Sequence, residues 1–166
     1  LCGLYTPQSG EFFVNGRPMA ELGVDVYRNM FSLVPGDFHL FQHILGLHCG
    51  PDRVRELLAL MRLETKVRIL EDGSFSTRDL SAGQRKRLAL TCALLEDREI
   101  CLFDEVAADF DPEFRRCFYE KMLPMLRNQG KTILAVSHDD RYFSCADRVI
   151  HMADGSFAPE GAKPGL

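Results

Sequence analysis

Three side chains in this sequence are of types used in phosphate chemistry, and each stands at the end of an apolar run. Asp104 and Glu105 end the run EICLFDE, and His138 ends the run KTILAVSH. A carboxylate at a strand end can help to hold Mg²⁺ in phosphoryl transfer, and a second one can orient or deprotonate the attacking water. A histidine there could reach a terminal phosphate or that water. Taken singly, each residue also fits a structural role, because many strands end in acids and a lone histidine is often only solvated.

The stretch LSAGQRKRLAL, residues 80–90, places a turn of small residues before a basic, leucine-containing helix. Ser81 is of a type preferred at the N-cap of a helix. The backbone N–H groups of the turn, at Ala82, Gly83 and Gln84, together with the helix dipole would favour an anion such as phosphate. A plain N-cap without a ligand is the commoner case for an isolated turn. The basic run GQRKR is typical of a solvated helix face.

Composition limits the class of protein. The 166 residues fit one domain, and 46% hydrophobic with 27% charged residues is a globular composition. The net charge of -4 predicts no nucleic-acid partner, because it gives no basic face. No apolar run approaches the roughly 20 residues that cross a bilayer. The six cysteines show no paired CxxC spacing, which predicts reduced core thiols in a cytoplasmic protein.

The elements that must position the candidate residues alternate between strand and helix. GEFFVNGRP predicts a short β-hairpin at Asn15-Gly16, and MFSLVP predicts a strand. PDRVRELLALMRL and AGQRKRLALTCALLED predict helices. EICLFDE and KTILAVSH predict buried strands on either side of the helix DPEFRRCFYEKMLPMLRNQG, with Asp111 as its cap and Pro124 as a kink or break.

Beyond His138 the sequence predicts a short helix at DDRYFSCA, a strand at DRVIHM and a turn at ADGSFA into a last strand. The order is that of an α/β fold with a mainly helical insertion at about residues 38–97. Ligands of open α/β sheets bind at the carboxyl ends of the strands, where the acids and His138 stand.

Taken together, the motifs resemble the nucleotide-binding domain of an ABC ATPase. LSAGQ at 80–84 resembles the ABC signature, ICLFDE at 100–105 the Walker B strand, and ADFD at 108–111 the D-loop, while His138 occupies the switch-histidine position. GLYTPQSGEFFVNGRP resembles the segment that follows Walker A, so the resemblance covers essentially the whole chain. Four motifs in the right order make chance agreement improbable.

The resemblance implies a truncated P-loop NTPase fold, an α/β fold with a mostly parallel sheet, a helical subdomain and a small antiparallel β piece. Residues 1–166 would be a partial ABC ATPase domain, with 38–97 as the signature subdomain and 98–158 as the Walker B and switch-histidine part. ATP and Mg²⁺ would be the cofactors. Asp104 would hold Mg²⁺ through water, Glu105 would be the general base, and His138 would fix the γ-phosphate and the attacking water.

The resemblance also implies partners. Two such domains sandwich ATP head to tail, so Ser81, Ala82, Gly83 and Gln84 would contact nucleotide held by the opposite subunit, and Asp111 would connect the two sites. A transmembrane domain of the same parent chain would be the other partner, at the cytoplasmic face of the inner membrane. Segments such as GDFHLFQHILG and SHDDRYFSCADRVIHMADG are similar to the branch that exports cyclic peptides and siderophores.

The sequence departs from the family pattern at several places. VPGD at 34–37 stands where VPQD is usual, so Gly36 replaces a glutamine that would help to coordinate Mg²⁺. Ala82 replaces the second signature glycine, and VAADFD follows Glu105. The sequence contains no G-x-x-x-x-G-K-[ST] loop, the phosphate cradle of these enzymes. We therefore expect the 166 residues alone neither to bind ATP tightly nor to hydrolyse it.

Three alternatives remain open. A soluble ABC ATPase acting on ribosomes is favoured by SHDDRYF but not by the D-loop or the charge. A non-catalytic remnant could serve as an interaction domain. A metal site could be formed by His39, His43, His48 and Cys49, although the spacing is unlike that of zinc sites. The aromatic residues are expected in the core or at a contact with the membrane domain: Phe12, Phe13, Phe38 and Phe41.

Overall fold

The computed structural model describes residues 2–5, 7–38, 40, 43–44, 50–77 and 79–157. Near the amino end, β1 (Phe13–Val14) and β2 (Arg17–Pro18) pair as an antiparallel hairpin. Its two turn residues, Asn15 and Gly16, have φ angles of 49° and 77°. Two left-handed residues in a row are what a two-residue hairpin turn requires, and Asn-Gly accepts them at low cost. The predicted hairpin is therefore confirmed.

Two short helices, α1 (Met19–Leu22) and α2 (Val24–Arg28), lead to strand β3 (Phe31–Val34). Then follow α3 (Pro51–Leu60), α4 (Ala82–Leu95) and strand β4 (Ile100–Asp104). Strand β5 (Thr132–Val136) completes a parallel sheet in the order β3-β4-β5, with Val34 opposite Phe103 and Asp104 opposite Val136. The carboxyl ends of all three strands therefore meet at one edge, as the sequence order predicts.

Strand β5 is more exposed than its apolar sequence predicts. Leu134 and Val136 are 42% and 48% exposed, and Thr132 and Ala135 are exposed as well. Within the described residues β5 pairs with β4 alone, so it forms a sheet edge. The prediction of a buried strand is therefore wrong for β5 but right for β4, in which Cys101 and Phe103 are buried.

The region between β4 and β5 is helical but divided. It consists of α5 (Pro112–Cys117), a π-helical turn (Phe118–Met122) and α6 (Leu123–Asn128). Pro124 cannot donate a backbone hydrogen bond, and its ring crowds the carbonyl of Glu120, which explains a wider turn just before it. The helical region ends at Gly130, whose φ of 84° suits glycine after a helix. The predicted division is confirmed, but it lies at the π-helical turn before Pro124, which itself belongs to α6.

The chain after His138 departs further from the sequence prediction. A 3₁₀-helix (Asp140–Cys145) occupies the predicted short helix, but DRVIHM forms no strand up to residue 151. The strands are instead β6 (Met152–Ala153) and β7 (Ser156–Phe157), a hairpin turned at Asp154 and Gly155. Val149 and Ile150 are 40% and 53% exposed. Strand propensity alone does not form a strand, because each strand needs a neighbour to satisfy its backbone groups.

The core lies between the sheet and the helices. Phe103 of β4 meets Phe118 edge to face at 5.8 Å, and α4 packs against α3 and β3. The five described cysteines are unbridged, but only Cys101 is fully buried, so most of the predicted core thiols lie at the margin of the core. Phe12 and Phe38 are half-buried, whereas Phe13 is 59% exposed, which excludes the core for Phe13 and leaves the predicted contact with the membrane domain untested. Phe41 lies outside the described residues.

Among the described residues, no helix has the length and apolar character needed to cross a bilayer. In the described part of the chain, no group of three or more His, Cys, Asp or Glu side chains could hold a metal ion, but the alternative metal site is not tested by this because three of its four residues lie outside that part. His43 forms an isolated bridge with Ser74. His39, His48 and Cys49 lie outside the described residues.

Candidate functional site

Glu105 and His138 form a side-chain pair at the carboxyl edge of the sheet. His138 Nε2 lies 2.9 Å from Glu105 Oε1, and the two side chains are 86% and 44% exposed, respectively. The backbone N–H of Glu105 donates to the carbonyl of Val136 at 3.1 Å, which joins the end of β4 to the end of β5. A solvent-facing carboxylate that contacts an imidazole can accept a proton from water while the imidazole holds a second group.

Glu105 adopts a backbone conformation that is unusual for a residue with a side chain. Its φ of 48° lies in the left-handed region, and the Ala108 N–H donates to its carbonyl at 3.2 Å. Such a conformation costs about 1 kcal/mol or more and persists only where the surrounding structure enforces it. The turn directs the chain away from β4 immediately after Asp104. Sequence reasoning singles out this glutamate but gives no sign of its backbone conformation.

Asp104 lies beside Gly36 in the loop after β3. The Gly36 N–H donates to Asp104 Oδ2 at 3.4 Å, a long hydrogen bond, and a Cβ at Gly36 would lie 3.4 Å from the Asp104 carbonyl oxygen. The side chains of Asp104 and Glu105 offer only oxygen atoms as metal ligands, and both residues are partly exposed. Mg²⁺ is commonly held by one or two carboxylates together with phosphate oxygens, so the chemistry of this pair fits the ion. Gly36 contributes only its backbone here, as its type dictates.

The turn before α4 is closed by reciprocal hydrogen bonds. Ser81 Oγ accepts from the Gln84 N–H at 3.3 Å, and Gln84 Oε1 accepts from the Ser81 N–H at 2.9 Å. This is a capping box, so the prediction of Ser81 as N-cap is confirmed. Ser81 and Ala82 are exposed, whereas Gly83 and Gln84 are half-buried. The first turn of α4 is thus open to solvent at the end where a helix attracts anions.

Gly83 connects this turn to the loop after β4, which we call the 105–111 loop. A Cβ at Gly83 would lie 2.6 Å from the carbonyl oxygen of Asp109, closer than two such atoms can approach. Asp111 ends the loop as the N-cap of α5, with Oδ1 accepting from the Phe114 N–H at 2.9 Å. In the described residues, no hydrogen bond or ion pair joins Ser81–Gln84 to Glu105 or His138. The predicted residues therefore form two groups on either side of this loop.

Lys86 contacts both the loop after β3 and the 105–111 loop, and sequence reasoning missed it. Its Nζ donates to the Gly36 carbonyl at 2.9 Å and lies 3.5 Å from Asp109 Oδ2, and its side chain is only 6% exposed. The expectation that GQRKR forms a solvated helix face is therefore wrong at this position. A signal was present, because Lys86 stands four residues before Leu90, on the buried stripe of α4.

Comparisons with known proteins identify the family of the chain. The family model described as ABC transporter matches residues 1–108. This chain belongs to the ABC transporter family. The ATP-binding protein SyrD of Pseudomonas syringae pv. syringae is 49% identical over 159 residues, which are 93% of this chain and 28% of that protein. This chain and that family member therefore have the same residue at about half of the aligned positions.

A second relative in the family is the glutathione/L-cysteine transport system ATP-binding/permease protein CydC of Escherichia coli K12. It is 32% identical over 176 residues, covering 100% of this chain and 30% of that protein. The chain thus spans less than a third of the length of either relative. The structure of a bacterial Atm1-family ABC exporter with ATP bound matches at a TM-score of 0.80 and 20% identity, over 96% of this chain and 30% of that one. This likeness confirms the ABC ATPase fold.

Proposed function

We propose that this chain is part of the ATP-binding and hydrolysing domain of an ABC exporter. The observation that carries the proposal is the 2.9 Å contact between Glu105 and His138. Glu105 directly follows Asp104 in the sequence. In this proposal Glu105 takes the proton of the attacking water and His138 holds the γ-phosphate and that water. Asp104 would hold Mg²⁺ through water, and the bound ion would supply neutralisation of the phosphate charge. The names of the relatives, all tied to ATP binding or transport, support it.

The second group of residues suits the proposed head-to-tail arrangement of two domains. Ser81, Ala82, Gly83 and Gln84 present an open helix N-terminus, and within the described residues they form no polar contact with Glu105 or His138. We propose that they contact the nucleotide of a second ABC ATPase domain, with Asp111 near the shared boundary. A transmembrane domain of the parent protein would complete the assembly and place this domain at the cytoplasmic face of the inner membrane.

The test is ATP hydrolysis by the full-length product of the gene that encodes this sequence, purified in detergent. Glu105→Gln is expected to lower kcat by about 10²-fold or more, because general-base catalysis contributes that much, while ATP binding is retained. Glu99→Gln is the matched control, since Glu99 is exposed and stands just before the opposite end of β4. A Glu105→Gln protein that hydrolyses ATP like wild type would refute the assignment.

The substrate class is proposed from the similarity of the segments at 36–46 and 137–155 to the cyclic-peptide and siderophore branch. Basal ATPase activity in proteoliposomes is expected to rise on addition of a cyclic peptide or a siderophore and not of a linear peptide. Equal stimulation by cyclic and linear compounds, or no stimulation by any of them, would contradict this substrate class without affecting the ATPase assignment. Activity that needs ribosomes rather than lipid would instead favour the soluble branch.

The 166 residues by themselves are proposed not to bind ATP tightly, since their sequence contains no G-x-x-x-x-G-K-[ST] loop. Such a loop supplies the backbone N–H groups and the lysine that hold the β- and γ-phosphates. Titration of the purified chain with a fluorescent ATP analogue is expected to show no saturation below millimolar concentration. Tight binding, or hydrolysis abolished by Glu105→Gln, would contradict this expectation.

A further inference from the structure

Arg115, in the second half of α5, turns its guanidinium back onto the 105–111 loop. Its Nε donates to the Ala107 carbonyl at 3.0 Å, and its Nη2 donates to the carbonyls of Ala108 and Phe110 at 2.9 and 3.1 Å. One rigid, planar group thus serves three backbone acceptors, a use for which arginine is suited and lysine is not. The loop has no regular secondary structure, although the Ala107 carbonyl also accepts from the Phe110 N–H at 3.2 Å.

The same guanidinium also faces the loop that carries His138. Arg115 Nη1 lies 3.7 Å from Asp139 Oδ2, and the two side chains are 24% and 17% exposed, respectively. Asp139 immediately follows His138, and its N–H donates to Ser137 Oγ at 3.1 Å. Arg141 binds both carboxylate oxygens of Asp139 at 2.7 Å, which fixes the carboxylate in place. Arg115 therefore links the loop after Glu105 to the residue after His138.

Glu105 and His138 make a single side-chain contact, at 2.9 Å, and Glu105 lies one residue beyond the last paired position of the two strands, Asp104 opposite Val136. The Glu105 N–H bond to the Val136 carbonyl continues that pairing. Glu105 must also be kept in the left-handed region, at φ 48°. Arg115 binds the loop that follows Glu105 and faces Asp139, which follows His138. In the described contacts it touches neither the Glu105 nor the His138 side chain.

We infer that Arg115 is a positioning residue for the hydrolytic pair: it holds the 105–111 loop against the His138 loop so that carboxylate and imidazole stay in register. The inference rests on the proposed ATPase function. Positioning errors of about 1 Å cost on the order of 10²-fold in rate, so losing four polar contacts at this point is expected to be costly for hydrolysis. ATP binding, which depends on other groups, is expected to change little.

The experiment measures single-turnover hydrolysis and ATP affinity of the full-length gene product. Arg115→Ala is expected to lower the hydrolysis rate by about 10- to 100-fold, with ATP affinity changed by less than about threefold. Arg115→Lys is expected to restore only a minor part, since one ammonium cannot reach all the carbonyls. Arg116→Ala is the matched control, because Arg116 is 70% exposed on the same helix and pairs only with Glu120, at 3.6 Å, in the described contacts. It should hydrolyse ATP like wild type.

Two further variants separate positioning from plain folding. Asp139→Asn leaves the three carbonyl contacts of Arg115 in place but weakens the link to the His138 loop, so the folded protein should lose hydrolysis and keep ATP binding. In a His138→Ala background, Arg115→Ala should cost far less than it costs alone, because residues that act through one another are not additive.

Wild-type rates in Arg115→Ala, full rescue by lysine, or strictly additive losses with His138→Ala would overturn the positioning role while leaving the ATPase assignment intact. An Arg115→Ala protein that does not fold shifts the decision to Asp139→Asn, where unchanged hydrolysis would overturn it. A wild-type protein without hydrolysis would overturn both proposals.

Discussion

Replacing Gly83 by alanine tests the contact between α4 and the 105–111 loop. Alanine is the better helix former by about 1 kcal/mol, so the substitution would be stabilising on propensity alone. The new Cβ, however, would lie 2.6 Å from the Asp109 carbonyl oxygen. Overpacking of this kind costs about 1–3 kcal/mol. The obstructing atom belongs to the backbone of a loop whose neighbouring carbonyls are bound by Arg115, so it cannot move away cheaply.

The two effects together predict a net loss of about 1 kcal/mol in the free energy of unfolding. With a urea m value of about 2 kcal/mol/M, the unfolding midpoint should fall by about 0.5 M. Urea titration of the 166-residue chain, followed by circular dichroism, measures that shift. Gly36→Ala is the control, because its nearest atom, the Asp104 carbonyl oxygen, lies at an ordinary 3.4 Å. A Gly83→Ala chain at least as stable as wild type, or an equal loss in Gly36→Ala, would refute the reasoning.

Three more substitutions follow from the same contacts. Ser81→Ala removes one half of the capping box and should cost about 1 kcal/mol in urea titration, and an unchanged midpoint would contradict it. Lys86→Met leaves the Gly36 carbonyl without its donor and should cost about 1–2 kcal/mol, whereas a gain would show that desolvation of the ammonium outweighs its bonds. The hydrogen bond from Arg141 lowers the pKa of Asp139 in the folded protein. The ionised carboxylate therefore stabilises the fold at pH values above the ordinary Asp pKa, and this stabilisation is lost as pH falls through the lowered pKa. Asp139→Asn should therefore differ most from wild type near pH 7, and the difference should shrink as pH falls below the ordinary Asp pKa of about 4 and through the lowered pKa of Asp139. A difference that does not depend on pH would contradict the linkage.

The elements that sequence predicts correctly are those with a local cause. Ser81 caps α4 because of its own hydroxyl and a glutamine three residues on, and Asn15-Gly16 turns a hairpin by its own backbone preferences. Strand β5 and the segment DRVIHM have equally clear patterns, yet one is exposed and the other forms no strand. Burial and strand pairing depend on which neighbours are present, and a single segment carries no information about them.

In the candidate site, too, some features could be predicted from the sequence and others could not. The meeting of Glu105 with His138 follows from the order of parallel strands, whose carboxyl ends share an edge. Lys86 and Arg115 could not be found so directly, because both donate to backbone carbonyls. The Lys86 partner, Gly36, is distant in sequence, and every residue has a carbonyl, so the sequence does not show which one Arg115 binds. A basic residue within a charged helical run such as GQRKR is interpreted as solvent-exposed unless its spacing from the buried leucines of the helix is considered.

The 105–111 loop is held from both sides, and this decides how the two groups of candidate residues can influence each other. Phe110 is buried and packs edge to face on Phe114 at 4.9 Å, which anchors the loop in the core. On its other side, Gly83 contacts the Asp109 carbonyl, and Lys86 bonds the Gly36 carbonyl near Asp104. A displacement of the α4 N-terminus is therefore expected to press on the loop that follows Glu105. Within the described residues the two groups of candidate residues share no polar contact, so any coupling between them is expected to pass through this loop.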